Sequence, residues 1–308
     1  MIHTIDTGYM GRPQYAAAYL LVDGGEAAFI DTNTNGAVPK LLRALQDAGL
    51  TADAVRYIII THVHLDHAGG TSRLASECPD ATVLAHPRAA RHVIDPSKLV
   101  ASARGVYGAE AFAALYGEIE AVPERRVRAM EDNETATLGG RELTFLHTRG
   151  HANHHFVIHD PTDSAVFAGD AFGLHYPALR GLVFPSTSPT DFDGPEARAA
   201  VDRILACAPE RVFPTHFGPV TDLESAAVQL HHYLRWAEQV VDEADGSDLD
   251  DQRLGAYCAR RVRDYFSALR HAHPMSDAEF ALLDTDIDLN GQGLAFAAQK
   301  RRKKRAAQ

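Results

Sequence analysis

The sequence predicts an α/β fold, and three observations carry the prediction. Short β-branched apolar runs alternate with segments of helical periodicity through the first ninety residues. One of those runs, Tyr57-Ile58-Ile59-Ile60, leads directly into Thr61-His62-Val63-His64-Leu65-Asp66-His67-Ala68-Gly69-Gly70. Four side chains able to ligate a metal fall within six residues there. Further His and Asp residues follow other predicted strands, which is where α/β folds place their sites.

The elements follow in order. Ala16–Val22 and Ala27–Asp31 flank Asp23-Gly24-Gly25-Glu26 and read as a hairpin. A helix follows with Val38, Leu41, Leu42 and Leu45 on one face, Pro39 in its first turn and Gly49 after its end. Val55–Ile60 is the strand that delivers the His-rich motif. Thr71–Cys78 reads as a helix, Thr82–Ala85 as a strand, and Pro87 opens another short helix. Residues 97–121 place Leu99, Val106, Phe112, Leu115, Tyr116 and Ile119 at rough helical spacing. They are expected to form one or two inserted helices, either facing the core or walling an apolar pocket.

A second hairpin turns at Gly139-Gly140 and ends in His147-Thr148-Arg149-Gly150-His151-Ala152-Asn153-His154-His155. Strands Phe156–His159 and Ala165–Ala168 follow, the second running into Gly169-Asp170. Phe172 to Phe184 is an apolar and aromatic loop. A helix opens at Gly194-Pro195, and the strand Arg211–Pro214 leads to Thr215-His216. From Leu223 the pattern is helical, with Ala226, Leu230, Tyr233, Leu234, Ala237 and Val241 in one stripe and a second helix carrying Leu254 to Leu269. Leu289-Asn290-Gly291-Gln292-Gly293-Leu294 shows no clear periodicity. The expected organisation is a domain over residues 1–222, a C-terminal helical extension over 223–299 packed on it, and a frayed basic tail over 300–308.

Composition narrows the function. The chain has 308 residues, 45% hydrophobic and 23% charged, enough to bury a large core. Its formal net charge is −11 although the run Lys300–Arg305 is wholly basic, so the body is strongly acidic. That disfavours a nucleic-acid surface. Cys78, Cys207 and Cys258 are far apart and form no CxxC, which fits a reducing compartment. No basic-then-apolar leader precedes the first strand, and no apolar run reaches membrane-spanning length. A cytoplasmic protein with a small-molecule substrate, and neither a nucleic-acid nor a membrane partner, is expected.

The strand-end residues form a constellation. His62, His64, Asp66 and His67 follow one strand, His151 a second, Asp170 a third and His216 a fourth. Imidazoles with carboxylates and no thiolate suit zinc, manganese or iron. Seven ligands exceed one tetrahedral zinc and suit two metals sharing a carboxylate. His86 is read as structural, and His271-Ala272-His273 as surface.

The HxHxDH motif at His62–His67, with Gly150-His151, Gly169-Asp170 and Thr215-His216 in order, resembles the metallo-β-lactamase-fold superfamily over about residues 1–220. The resemblance implies an αββα sandwich, here with extra C-terminal helices. It implies that His62, His64 and His151 bind one divalent metal, that Asp66, His67 and His216 bind a second, and that Asp170 bridges. Zinc leads, with iron or manganese as alternatives. It makes Asp31 a buried brace behind the ligand loops and Asp66 a proton carrier as well as a ligand. His154 is expected behind the ligands, and Tyr176 is the local candidate for the tyrosine that assists lactonases. The C-terminal helices and the 150–155 and 289–294 segments look closer to an uncharacterised archaeal and bacterial subgroup related to quorum-quenching lactonases.

The departures matter. No Cys ligand stands where class B β-lactamases often have one. The residues after His216 are too few for the flavodoxin domain of flavodiiron proteins. Arg149 replaces the Pro of the HTPGH pattern and could steer an anion. The implied function is dinuclear metal-dependent hydrolysis of a small ester, lactone, thioester or phosphoester by a hydroxide shared between the metals. A glyoxalase II-like thioesterase and a non-hydrolytic diiron oxygen-binding or redox protein are the alternatives. The apolar rim formed by Phe172, Leu174, Tyr176, Leu182 and Phe184 suggests a partly hydrophobic substrate. The C-terminal helices suit packing on the core or against a second copy in a homodimer.

Overall fold

A computed structural model describes residues 1–307; the side chains of Val106 and Tyr107 lie outside the described set. The expectation for Val106 in the insertion, and that for Gln308 in the tail, therefore fall outside it. Contact density divides the chain into two interleaved units. The first holds residues 1–147, 154–169 and 207–221, and the second holds 148–153, 170–206 and the chain from Asp222 on. The second unit begins its last segment where the extension was expected to start, but it also takes in 148–153 and 170–206.

In chain order the elements are β1 (Ile2–Asp6), β2 (Ala17–Asp23), β3 (Glu26–Ile30), α1 (Val38–Asp47), β4 (Val55–Ile60), α2 (Leu65–Ala68), α3 (Thr71–Glu77), β5 (Thr82–Ala85), α4 (Pro87–Ile94), α5 (Ser97–Tyr107) and α6 (Ala109–Tyr116). There follow β6 (Val127–Ala129), β7 (Thr135–Leu138), β8 (Arg141–His147), β9 (Phe156–Asp160), β10 (Ala165–Gly169), α7 (Gly194–Ala206), β11 (Arg211–Pro214), α8 (Leu223–Asp245), α9 (Asp251–Leu269), α10 (Asp277–Ala281) and α11 (Asp284–Ala306).

All the strands lie in the first unit, in two mixed sheets. One runs β1-β2-β3-β4-β5-β6 and the other β11-β10-β9-β8-β7. The β3/β4, β4/β5, β5/β6 and β10/β11 pairs are parallel and the rest antiparallel. Strand alternation explains the two cores. Ile59 of β4 joins Tyr19, Leu84, Phe145, Phe156, Phe167 and Phe213 in the cluster between the sheets. Ile58 and Ile60 point the other way, into a cluster with Leu41 and Leu45 of α1, Leu74 of α3 and Val93 of α4. A continuous apolar strand is what burial on both faces demands. The 97–121 insertion forms two helices, α5 and α6. Leu99 packs against the helix-side core, and Phe112 and Tyr116 are buried.

In the second unit, α11 corrects two expectations. The segment without periodicity and the basic run belong to one 23-residue helix. Its buried positions interleave Asp286, Asn290, Gly291 and Gly293 with Ile287, Leu294, Ala295 and Ala298, so polar and glycine positions interrupt the apolar stripe on its inner face. A Cβ on Gly291 would sit 2.5 Å from the Ala259 Cα of α9, and one on Gly293 would sit 1.6 Å from the Thr187 carbonyl oxygen. Only glycine permits so close an approach. Asn290 fills the gap between them, accepting from Thr187 N at 2.7 Å and donating to the Pro185 carbonyl at 3.1 Å. The basic run is not frayed. Arg302 donates to the carbonyls of Ala244, Ser247 and Leu249, closing the C-terminal end of α8. Arg301 and Arg305 pair with Asp242 and Asp245. No helix among the described residues is long and apolar enough to cross a membrane.

Candidate metal centre

The first unit gathers its ligands by ending strands on one side. β4 stops at Ile60, and residues 61–64 stay outside regular structure before α2 opens at Leu65. β3 stops at Ile30, and Asp31 turns the chain with a φ of 55°. That left-handed conformation is uncommon for a non-glycine residue and best tolerated by Asp and Asn. β10 and β11 end at Gly169 and Pro214. A Cβ on Gly169 would meet His155 Nε2 at 2.6 Å and Thr61 Oγ1 at 2.7 Å, so a glycine precedes Asp170 for want of space.

Asp31 organises the loops. It is wholly buried. Its Oδ1 accepts from Thr61 N at 2.8 Å and Thr61 Oγ1 at 3.0 Å. Its Oδ2 accepts from His67 Nδ1 at 2.8 Å and from Thr215 Oγ1 at 2.6 Å. One carboxylate thus ties the loops after β4 and β11 together. Thr61 and Thr215 are supports that the sequence did not point to; each sits immediately before a candidate ligand histidine.

These bonds settle the imidazole tautomers. His67 Nδ1 faces a carboxylate and must donate. His216 Nδ1 lies 2.9 Å from the Tyr15 carbonyl oxygen and must also donate. Thr61 gives its one hydroxyl proton to Asp31, so His62 Nδ1 donates to Thr61 Oγ1 at 3.2 Å. Each ring therefore presents the lone pair of Nε2. His216 Nε2 is 3.2 Å and His67 Nε2 is 3.8 Å from Asp66 Oδ2. Asp66, His67 and His216 offer ligand atoms lying within 4.8 Å of one another.

The other imidazoles pack closely. The His62 ring lies 4.0 Å from that of His67, 4.5 Å from that of His64 and 4.9 Å from that of His155, centroid to centroid. His154 stacks against His62 at 6.0 Å and meets His64 edge-on at 5.5 Å. Rings packed this closely around the buried His62 cannot all carry charge. Neutral imidazoles with Nε2 lone pairs, held from behind at Nδ1 and facing a carboxylate, fit a divalent metal. His86 does not join them: it caps α4 by accepting from Arg88 N and stacks on His147 at 4.1 Å.

The second unit repeats the arrangement. His151 Nδ1 donates to the Ser186 carbonyl at 3.1 Å, and its Nε2 faces Asp170 Oδ2 at 3.5 Å. Arg149 is exposed and bonds to Asn153 Oδ1 at 2.8 Å. Tyr176 is buried, and its hydroxyl donates to the Asp286 carboxylate at 3.2 Å. The expected rim is interior to this unit: Phe172, Leu174, Tyr176, Leu182 and Phe184 are all buried, with Leu174 and Phe184 paired through their backbones.

Two packed mixed sheets with His and Asp residues gathered at strand ends define a metal-binding α/β protein. Residues 11–216 match the sequence profile of the metallo-beta-lactamase superfamily, and the chain belongs to that superfamily. It is 28% identical over 192 residues to the metallo-beta-lactamase fold-containing protein ST1585 of Sulfurisphaera tokodaii, covering 61% of this chain and 67% of that one. The solved structure of ST1585 superposes with a TM-score of 0.67 at 23% identity, over 95% of this chain and 97% of that chain. Human acyl-coenzyme A thioesterase MBLAC2 is 30% identical over 183 residues, which is 56% of this chain and 61% of that protein. The chain thus covers less than two thirds of that relative's length. The structure of TTHA1623 in a di-iron-bound form matches with a TM-score of 0.54 and 28% identity, over 74% of this chain and 98% of that one. Membership is established at the level of the superfamily.

Proposed function

We propose that the protein is a dinuclear metal-dependent hydrolase of a small acyl thioester or ester. The observation that carries the reading is the Nδ1 anchoring that His62, His67, His151 and His216 each have within their own unit. Each ring is held at Nδ1 by an acceptor, which leaves Nε2 for a cation. In the superfamily's arrangement, His62, His64 and His151 would hold one metal and Asp66, His67 and His216 the other, with Asp170 shared. Bound metals would supply Lewis acidity and bring the pKa of a coordinated water to about 7.

The chain's own residues divide the remaining work. Thr61, Asp31 and the Tyr15 carbonyl keep His62, His67 and His216 from rotating. Asp66 is 27% exposed, against 0% for His67 and 6% for His216, so it is the ligand placed to take a proton and return it to a leaving group. Tyr176 spends its hydroxyl on Asp286, so no proton step is assigned to it. A thioester is favoured by the similarity to an acyl-coenzyme A thioesterase. A glutathione thioester stays within that class: Arg261 and Arg263 are engaged by Glu243 and Asp284, but Arg260 is exposed and has no carboxylate partner among the described residues.

The test is a hydrolysis screen of acyl thioesters, esters, lactones and phosphotriesters on protein of measured metal content. Turnover is expected on thioesters or esters, and His64→Ala should lower it by more than about 100-fold with the circular dichroism spectrum unchanged. The di-iron-bound structure of TTHA1623 motivates one second reading, an iron protein without hydrolytic turnover. Two irons per chain, a visible chromophore and no hydrolysis of any substrate class would establish it instead.

A further inference from the structure

A second cavity, of about 210 Å³, lies within the second unit, between residues 182–184 and helices α8 and α9. It includes none of the metal ligands. Its inner wall is apolar and aromatic: Leu182, Phe184 and Tyr233 are buried, and Tyr265 meets Tyr233 edge-on at 4.9 Å. Val228 stands at its edge, 64% exposed, one of the few large aliphatic side chains the chain leaves in water.

The polar lining has one sign. Arg235, His232 and His273 are the titratable groups with basic character, and no carboxylate lines the cavity. Arg235 makes no hydrogen bond or ion pair among the described residues. In the same unit Arg198, Arg253, Arg261, Arg263, Arg270, Arg301 and Arg305 each pair with a carboxylate, while Arg260, which also lacks one, lies over the Tyr257 ring rather than at a cavity. An unpaired guanidinium at the lip of an apolar hole matches an amphiphile with one anionic end.

We propose that this cavity binds a small apolar carboxylate, its tail against Phe184, Tyr233 and Tyr265 and its headgroup on Arg235. The volume equals the liquid share of roughly seven waters, which suits a tail of about six to eight carbons or a single ring. His232 and His273 supply further donors at the headgroup, which gives the exposed His271-Ala272-His273 segment a role.

The chain reports on this site itself. Trp236 is the single tryptophan, and its ring lies 4.5 Å from that of Tyr265. Titration of the full-length protein with octanoate should change tryptophan fluorescence saturably, with a submillimolar Kd confirmed by calorimetry. Arg235→Ala, at an exposed position, should weaken binding at least tenfold without altering the thermal transition, and 1-octanol should bind at least tenfold more weakly than octanoate. Absence of saturable binding by both methods would overturn the proposal. So would equal affinity for octanol, an unaffected Arg235→Ala variant, or sedimentation showing that a second copy of the chain fills the cavity and that Val228→Asp dissociates it.

Discussion

Asp31 and His67, thirty-six residues apart, meet through Oδ2 and Nδ1 at 2.8 Å, with both side chains almost wholly buried. The same oxygen accepts from Thr215. Orientation of a ligand from each of two strand ends therefore rests on one carboxylate.

Asp31→Asn tests this brace. Asn tolerates the left-handed backbone at this position, so the turn should survive. An amide cannot accept from Thr61, Thr215 and His67 with both of its heavy atoms, and one donor must face another. Metal affinity is expected to fall about 10–100-fold, read by chelator competition, with the far-ultraviolet spectrum retained. Unchanged affinity would mean that the ligands do not depend on this carboxylate.

Arg141 tests the far end of the same unit. It is buried and reaches Asp160 at 2.7 Å, Asp163 at 2.5 Å and Asp23 at 3.2 Å, and Asp160 itself is wholly buried. Arg141→Ala strands that carboxylate and should cost about 3–5 kcal/mol in denaturant unfolding at pH 7. The hydrogen bond from Arg141 holds the Asp163 carboxyl below the usual range, and the Gly140 amide does the same for Asp23. A depressed folded-state pKa contributes stability above the unfolded pKa, near 4, and loses it as pH falls through the folded value. The gap between wild type and variant should therefore shrink below pH 4. A gap that is constant with pH would contradict the pairing.

Gly293 and Gly255 make a paired test of helix packing. Gly293→Ala drives a Cβ into the Thr187 carbonyl and should cost about 3 kcal/mol. Gly255 lies within α9, and a methyl added there would meet nothing within 4 Å, so Gly255→Ala should stabilise by about 0.5–1 kcal/mol. Thermal unfolding decides both signs; similar shifts for the two would deny the close contact.

Arg302→Ala tests the expectation that the chain's basic end is a solvated tail. The guanidinium satisfies carbonyls that would otherwise end α8 unpaired, and charged hydrogen bonds of this kind contribute about 2–3 kcal/mol together. Early proteolysis near Ser247 should appear in the variant. Lys300→Ala, at an exposed position, serves as the control and should be silent.

Most of the strands, and the His and Asp residues at their ends, were legible in the sequence; β1 and β6 were not. Apolar periodicity records burial over a few residues, and HxHxDH is wholly local. His62 through His67 could be read from one decapeptide. Their partners could not. The bonds to Asp31, Tyr15 and Ser186 that orient His67, His216 and His151 join distant segments, and two of them use backbone carbonyls that have no sequence signal at all. The reading of α11 failed for the same reason. Its inner face interleaves Ile287, Leu294, Ala295 and Ala298 with Asp286, Asn290, Gly291 and Gly293, which bring backbones together and satisfy polar atoms, so the hydrophobic period is interrupted. The basic run beside it looked like a solvated tail because charge is ordinarily exposed, yet the end of α8 supplied carbonyls to receive it. The sequence by itself determined which atoms can bind metal and which strands present them. Only the tertiary structure decided which nitrogen of each ring faces inward, and why glycines and basic residues complete the last helix: both depend on groups brought close by folding rather than on neighbours along the chain.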